Sequence, residues 1–205
     1  MKDAAEVKRG RKYDQVVEGA ATVFMRTGFE GASVDEIAQE AGVSKATLYS
    51  YFSDKRLLFI EVARREIARQ ADMTLSQTDH GADARTMMTR FGMTFGKLIL
   101  SPFGMSIMRV VIAEAERFPE IGQAFYESGP NLMVAGMTAY FETAEARGEL
   151  SIPDKRLAAH QFVELCKADC HLRAMMGVGD PIDENAIAYV VGEAVEMFLA
   201  RYGTA

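Results

Sequence analysis

The sequence predicts an all-α protein with an N-terminal three-helix helix-turn-helix head and a larger C-terminal helical body, about nine or more helices in total. Apolar residues recur at helical spacing along almost the whole chain. No run of strict apolar and polar alternation lies between hairpin turns, so strands are not expected. The five prolines fall between the periodic segments, where helices start or stop: Pro102, Pro119, Pro130, Pro153 and Pro181. We place the boundary between head and body at residues 53 and 54.

Composition narrows the classes of protein that fit. The chain has 205 residues, of which 49% are hydrophobic and 25% charged, as in an ordinary globular protein. The charged start, "MKDAAEVKRGRK", argues against a secretory signal, and no segment approaches the ~18 apolar residues of a membrane span. The two cysteines, Cys166 and Cys170, do not resemble a disulfide framework. These features predict a cytoplasmic protein.

Charge is distributed unevenly along the chain. The net charge is −6, which by itself argues against a nucleic-acid partner. Residues 1–70, however, hold 12 Lys and Arg against 11 Asp and Glu, so the remainder carries −7. Basic residues cluster in Lys8–Lys12 and in Lys55–Arg65. The first 70 residues are therefore nearly neutral, while the rest of the chain is acidic.

The head begins with a helix predicted from about Tyr13 to Thr27, with Gly28 as its C-cap. A second, short helix follows Ser33, whose hydroxyl can cap it, with Glu36 as the capping-box partner. This helix stops at Gly42, which can supply the positive φ of a tight turn.

A third helix is predicted from Lys45 to Phe52, after a capping Ser44. Leu48 and Phe52 are four residues apart and face the core of the head. The two short helices and their turn have the length and chemistry of a helix-turn-helix. The outward face of the third helix carries hydroxyls and a lysine, which suits the major groove of DNA. The alternative is a helical hairpin with a merely solvated face.

The body is predicted to consist of further helices. A long fourth helix starts near Asp54, runs into the seventies and joins head to body. After the polar residues 76–83, further helical segments are expected at Ala84–Leu100, Gly104–Glu116, Glu120–Glu127, Asn131–Arg147, Lys155–Met176 and Glu184–Tyr202.

The segment "GFEGASVDEIAQEAGVSKATLYSYFSDKRLLF", Gly28–Phe59, resembles the N-terminal signature of TetR-family transcriptional regulators. The similarity covers about Gly10 to Val62, and the pairing of "AGVSKATLYSYF" with a lysine three residues later is highly specific. In the more divergent body, "AEAERFPEIGQAFYESGP", Ala113–Pro130, resembles the subgroup with an AefR-like C-terminal domain.

The resemblance implies a DNA-binding domain at residues 1–53 and a ligand-binding and dimerisation domain at residues 54–205. The implied function is a ligand-responsive DNA-binding transcriptional regulator. By family habit it is a repressor, which a small apolar molecule releases from its operator. The implied partners are double-stranded operator DNA with an inverted repeat, a small-molecule effector and a second copy of the chain. No cofactor and no membrane partner are expected.

Eight residues match DNA-contacting positions of the family. Lys45, Ala46, Thr47 and Tyr49 match positions on the recognition helix, and Tyr51 matches a further contact. Lys55 matches a phosphate clamp, and Ser33 and Ser44 match hydroxyl positions that flank the motif. The eight are Lys45, Ala46, Thr47, Tyr49, Tyr51, Lys55, Ser33 and Ser44. Ala46 offers only a methyl group, which can touch a thymine methyl. The base-facing turn has no Gln, Arg or Asn, so the bases that are read are weakly constrained.

The effector site and the dimer interface are expected in the body. Methionine, of which nine of 13 lie between Met87 and Met176, adapts to promiscuous apolar sites but also fills cores. Arg109 is the one charged candidate for an acidic ligand, and an ion pair with Glu114 is the alternative. The candidate lining residues are Met88, Phe91, Met105, Met108, Arg109, Met133, Met137, Phe141 and Phe162.

The last two predicted helices carry wide apolar stripes, which we interpret as the halves of a four-helix interface between two subunits. Plain core is the alternative. The stripes are Ala159, Phe162, Val163, Cys166 and Cys170, then Ile187, Val190, Val191, Ala194, Val195 and Phe198.

Two other functions are weighed against this one. Cys166 and Cys170 lie one helical turn apart near His171, so a metal- or thiol-sensing regulator is an alternative, with His160 as a ligand from elsewhere. Buried cysteines that act as small hydrophobic residues are the simpler interpretation. An enzyme is not expected, because no Gly-rich phosphate loop, no Gly-x-Ser-x-Gly and no His-Glu-x-x-His motif accompanies the three histidines.

Overall fold

The computed structural model describes residues 10–76 and 81–204 of the chain. The start of the basic run Lys8–Lys12 and His80 lie outside these residues. Within them the chain forms helices and no strand, apart from an isolated antiparallel bridge between Leu150 and Gly203. The all-α prediction is confirmed.

Eleven helices make up the described part of the chain. They are α1 Arg11–Gly31, α2 Val34–Glu40, α3 Lys45–Tyr51, α4 Lys55–Ser76, α5 Ala84–Leu100, α6 Pro102–Glu114, α7 Pro119–Ser128, α8 Pro130–Ala146, α9 Lys155–Leu165, α10 Cys170–Met176 and α11 Glu184–Tyr202. No single helix within residues 10–76 and 81–204 combines the length and apolarity of a membrane span, and only the bent pair α5 and α6 meets that criterion together.

The chain divides into two compact units. The first comprises the described residues up to Glu66 together with Ser106–Phe125, and the second comprises Ile67–Met105 and the described residues from Tyr126 onward. The first half of α4 and the last part of α6 thus pack with the helix-turn-helix. The functional division at residues 53 and 54 stays a prediction.

Aromatic residues form the core of the first unit. The ring of Phe59 in α4 meets Phe24 edge-on, with centroids 4.9 Å apart, and lies 5.0 Å from Phe29. The apolar face predicted for the first helix is buried, at Val16, Val17, Ala20, Val23 and Phe24. At Gly28 the backbone leaves helical geometry, with φ 72° and ψ 174°, which agrees with its predicted role as the C-cap.

Helices α5, α8, α9 and α11 enclose the core of the second unit. The ring of Phe198 lies 5.1 Å from Phe141 and 5.4 Å from Phe162. Helix α5 packs closely against α11 at Gly92, where an added Cβ would lie only 2.6 Å from Val191 Cγ1. The absence of a side chain at this glycine therefore sets the separation of the two helices.

The prediction of one continuous helix from Lys155 to Met176 is wrong. Helix α9 ends at Leu165 and α10 begins at Cys170, because Asp169 has φ 60° and ψ −47°. The N–H of Cys170 donates instead to the carbonyl of Ala168, at 2.6 Å. A non-glycine residue with positive φ breaks the helix, and neither glycine nor proline marks the position in the sequence.

Candidate DNA-binding site

Serine hydroxyls fix the start of both helices of the helix-turn-helix. Ser33 Oγ accepts from the N–H of Glu36 at 3.1 Å, and Ser44 Oγ accepts from the N–H of Thr47 at 3.1 Å. The two predicted serine caps are confirmed, whereas the role of the Glu36 carboxylate as a capping-box partner stays a prediction. The carboxylate of Glu36 accepts from Arg26 at 2.9 Å. Because Ser33 and Ser44 already serve as caps, their side chains position the helices whether or not they also touch DNA.

The turn between α2 and α3 is as tight as its residues predict. Gly42 has φ 63°, and the N–H of Val43 donates to Ala38 at 3.0 Å. Helix α1 lies directly against this turn, since a Cβ at Gly19 would come within 2.7 Å of the backbone nitrogen of Ala41. Gly19 is a site residue that sequence reasoning missed, because its partner lies in another helix.

Helix α3 buries the side that its spacing predicts. Leu48 and Phe52 are buried, and the ring of Phe52 stacks on Tyr13 with centroids 5.3 Å apart. Tyr51 meets the same Tyr13 ring edge-on at 5.6 Å and is half-buried. Tyr51 is therefore partly a packing residue, and its predicted DNA contact stays a prediction.

The opposite side of α3 faces outward. Tyr49 is 50% exposed, Lys45 and Ala46 are exposed, and Thr47 is half-buried beside the Ser44 cap. The structure thus brings four of the predicted DNA contacts together on one surface. Such a surface can present a cation, hydroxyls and a methyl group to a DNA groove.

An acidic residue lies beside this surface. The ammonium of Lys45 forms an ion pair with Asp35 in the first turn of α2, and both side chains are more than half exposed. Sequence reasoning did not identify Asp35, because an acidic residue at a helix start is already explained by the helix dipole. A DNA phosphate would compete with this carboxylate for Lys45.

Lys55, the predicted phosphate clamp, is engaged within the protein. Its Nζ donates to the carbonyl of Phe29 at 2.8 Å and to that of Ala32 at 3.0 Å. The same ammonium lies 4.5 Å from the centroid of the Phe29 ring. Its contact with phosphate stays a prediction.

The neighbouring Arg56 ties the start of α4 to the end of α6. It donates to Glu114 Oε2 at 2.8 Å and to both carboxylate oxygens of Asp54, and it lies 5.0 Å from the ring centroid of Phe118. The hydrogen bonds from Arg56 to Asp54 hold the pKa of that carboxyl group below its ordinary value. Glu114, weighed as a partner for Arg109, thus pairs with Arg56, which sequence reasoning missed.

The nine candidate effector residues are divided between the two units. Met88, Met137, Phe141 and Phe162 are buried in the second unit, where Phe91 and Met133 pack against the same cluster. Met105 is also buried there, whereas Met108 is half-buried and Arg109 exposed in the first unit. The five buried residues serve as core, and the assignment of all nine to an effector site stays a prediction.

The apolar stripes predicted as a dimer interface lie inside the second unit. Val163 and Val190 are half-buried, and the other nine are buried at 7% exposure or less: Ala159, Phe162, Cys166, Cys170, Ile187, Val191, Ala194, Val195 and Phe198. The interface interpretation is wrong for these nine residues, because they are buried within the chain, where the stripes pack toward α5 and α8.

The other side of the same helices is exposed and carries large apolar side chains among charged ones. Leu157 of α9 is 52% exposed, and Tyr189 and Met197 of α11 are 71% and 59% exposed. An open groove of about 680 Å³ runs between the two helices and is lined by Leu157, Leu165 and Met197 together with polar groups such as His160 and Arg201. We call this surface, Leu157, Tyr189, Met197 and the groove, the α9–α11 face.

Cys166 and Cys170 are free and buried. Burial raises the pKa of the Cys166 thiol to about 12 and also raises that of Cys170, so neither forms a thiolate readily. Among residues 10–76 and 81–204 no group of three or more His, Cys, Asp or Glu side chains is arranged to hold a metal ion. The metal- and thiol-sensing alternative gains no support.

Two family models match the chain. Residues 16–62 match the model for bacterial regulatory proteins of the tetR family, and residues 86–204 match the C-terminal domain of AefR-like transcriptional repressors. A TetR-family protein from Mesorhizobium loti is 30% identical over 95% of this chain and 98% of its own, with a TM-score of 0.79. The flavonoid-responsive regulator FrrA is 30% identical over the same shares, with a TM-score of 0.68.

The curated relatives match over short stretches, and the chain covers less than half the length of each of the first few. The HTH-type transcriptional repressor AcnR of Corynebacterium glutamicum is 34% identical over 73 residues, which is 36% of this chain and 39% of the relative. The helix-turn-helix geometry, both family models and the full-length structural matches lead to one conclusion. The chain belongs to the TetR family of DNA-binding transcriptional regulators.

Proposed function

We propose that this protein is a cytoplasmic transcriptional repressor, which binds an operator as a homodimer and leaves it when a small apolar effector binds the body. The observation that carries the DNA-binding part is the exposed surface of α3, with Lys45, Ala46 and Tyr49 outward and Leu48 and Phe52 buried. The repressor names of AcnR and of the AefR-like model support repression.

The residues of this surface divide into two roles. Lys45 and the hydroxyl of Tyr49 can reach phosphates and base edges, whereas Ala46 can only touch a thymine methyl. Ser33, Ser44 and Thr47 hold the helix starts through their caps. Affinity then comes mainly from the charge of Lys45, and Tyr49 together with the small, methyl-bearing side chains shapes the preference for particular bases.

Homodimerisation is proposed through the α9–α11 face. Leu157, Tyr189 and Met197 expose large apolar side chains on two neighbouring helices that flank a groove, and exposed apolar surface of this kind is typical of interaction sites. Two helices from each subunit would form a four-helix interface with two-fold symmetry. Two recognition helices would then read an inverted repeat whose half-sites lie ~34 Å, or a multiple of it, apart.

The effector is proposed to be small and largely apolar, with at most one acidic or polar group. The buried side chains of the second unit are almost entirely apolar and include Met88 and Met137. FrrA, whose name describes a response to flavonoids, supports an aromatic class of compound. Helix α4 is continuous across both units, so a change at its body end can reach its head end.

A pull-down of genomic DNA with the purified protein tests the DNA-binding part and identifies the operator. Genes beside the recovered sites would suggest the effector, and candidate compounds would then be screened for a rise in melting temperature. A true effector lowers operator affinity by ~5–150-fold, and by linkage the operator weakens effector binding by the same factor. Recovery of DNA without any shared inverted repeat would overturn the proposal.

A further inference from the structure

We infer that Lys55 is a positioning residue, which clamps the two ends of the helix-turn-helix together and sets the orientation of α3. This inference rests on the proposed DNA-binding function. It assigns to Lys55 a role that differs from a phosphate contact, and it follows from where its ammonium lies.

The ammonium satisfies the carbonyl groups at the end of α1. The last carbonyls of a helix have no partner within the helix, and their end of the helix carries partial negative charge. Lys55 Nζ donates to Phe29 at 2.8 Å and to Ala32 at 3.0 Å, just beyond the kink at Gly28. A cation is the best donor for such carbonyls, so this contact works as a C-terminal cap supplied from another helix.

The ring of Phe29 makes the clamp rigid. Lys55 lies over this ring, 4.5 Å from its centroid, and the ring itself packs against Phe59 and Phe24 of the core. The ammonium is therefore held from the carbonyl side and from the aromatic side. Only one of its three N–H groups is left for another acceptor.

The position of the clamp in the chain gives it its function. Lys55 is 26 residues from Phe29 and 23 from Ala32, and α2, the turn and α3 all lie in between. The contact thus closes a loop that contains the whole helix-turn-helix. Because α3 ends at Tyr51, only three residues before α4, a displacement of Lys55 would shift the end of the recognition helix.

Lys45 offers the contrast that makes the inference testable. Lys45 is 58% exposed in its side chain, and its partner Asp35 is equally accessible, so DNA can replace the carboxylate at little cost. Lys55 is half-buried and would leave two carbonyls unsatisfied if it turned to a phosphate. Lys45 therefore acts on DNA, whereas Lys55 acts on the protein.

The test compares Lys55→Met with Lys45→Met, both of which keep an unbranched side chain and remove the charge. Affinity would be measured for the operator and for unrelated DNA of the same length, at several salt concentrations and well below each melting temperature. Lys55→Met should weaken operator binding about tenfold or more. Its affinity for unrelated DNA should change by no more than about twofold, and the slope of log affinity against log salt should stay unchanged. Lys45→Met should instead lower that slope by about one.

Two further measurements keep the inference falsifiable. In the absence of DNA, Lys55→Met should accelerate amide exchange in α2 and α3 but not in α5, and Lys55→Arg should restore part of the protection. Phe29→Leu, which removes the ring face alone, should act in the same direction with a smaller effect, and it replaces Lys55→Met if that variant fails to fold. If Lys55→Met lost affinity equally for both DNAs and lowered the salt slope by about one, the inference would be overturned. Unchanged amide exchange in α2 and α3 would overturn it as well. A wild type that binds both DNAs equally would instead overturn the proposed function.

Discussion

Both units have an apolar core, and in the first unit directional polar contacts also fix the short helices of the helix-turn-helix. In the first, Ser33 and Ser44 cap helices, Lys55 joins two chain segments through carbonyls, and Arg56 bridges α4 to Glu114. In the second, the core of α5, α8, α9 and α11 is apolar, and the ion pairs between α5 and α11 lie at the surface, between Arg85 and Glu196 and between Lys97 and Glu184.

This difference matches what each unit has to do. Hydrogen bonds depend on angle as well as distance, so they fix the direction in which α3 presents its side chains. Apolar packing depends mainly on volume and adapts to a new shape more readily, above all where methionine contributes. The buried methionines of the described residues, Met87, Met88, Met105 and Met137, all lie in the second unit.

The largest effect is expected where a charge enters the apolar core of the second unit. Val195 is 1% exposed, so Val195→Asp would bury an unpaired carboxylate and should destabilise folding by more than about 4 kcal/mol. Met197→Asp places the same charge two residues away on the α9–α11 face and should leave the fold intact but produce monomers. Urea unfolding and sedimentation velocity separate the two outcomes.

Either of two results would contradict the assignment of one side of α11 to the core and the other to the dimer interface. A folded Val195→Asp monomer would restore the interpretation of the buried stripe as an interface. Met197→Asp dimers as stable as those of the wild type would exclude the α9–α11 face as the interface. Ala146→Asp, an exposed position on α8, controls for the added charge itself.

In the first unit, Gly19→Ala should disturb the geometry of the helix-turn-helix. The added Cβ would meet the backbone of Ala41 at 2.7 Å, and backbone cannot rotate away as a side chain can. We expect a loss of about 1–3 kcal/mol in folding free energy, with operator affinity reduced further than affinity for unrelated DNA. Thermal unfolding and fluorescence anisotropy measure both, and Glu18→Ala, an exposed neighbour on α1, should change neither.

The thiol of Cys166 tests whether the core of the second unit is closed in the native state. Since burial raises its pKa to about 12, native stability should be unaffected below the ordinary thiol pKa of 9.0 and should fall as the pH rises towards 12. At neutral pH the native protein should react with a thiol reagent far more slowly than the urea-unfolded protein. Fast labelling of native Cys166 that leaves the fold unchanged would show that this core opens readily.

The smallest effect is expected at Asp35, which competes with DNA for Lys45. Asp35→Asn should raise affinity for operator and unrelated DNA alike, by a few-fold at most, because an exposed ion pair contributes about 0–1 kcal/mol. Removal of the carboxylate should also steepen the salt dependence slightly. A selective gain on operator alone would mean that Asp35 itself takes part in base recognition.

The sequence predicted those features whose signals are local. Gly42, Ser33 and Ser44 each act within a few residues of their own position, and the four-residue spacing of Leu48 and Phe52 identifies the buried side of α3. The periodicity of α11 identified an apolar stripe but not what covers it, since a core and an interface both bury such a stripe.

The features that sequence reasoning missed depend on distant partners. The contacts of Lys55 span 23 and 26 residues, and the close approach of Gly19 to Ala41 joins two different helices. The break at Asp169 has no glycine or proline to signal it in the sequence, because a non-glycine residue adopts positive φ there. Such features require the packed structure before they can be identified.

The most direct test of the central claim, that the exposed surface of α3 reads operator DNA, is a binding comparison between wild type and Tyr49→Ala. Both would be titrated against the recovered inverted repeat and against a scrambled duplex, with dimerisation and melting temperature measured in parallel. The wild type should prefer the repeat, and Tyr49→Ala should lose most of that preference while it remains a folded dimer. Equal preference in the two proteins, or none in the wild type, would contradict the claim.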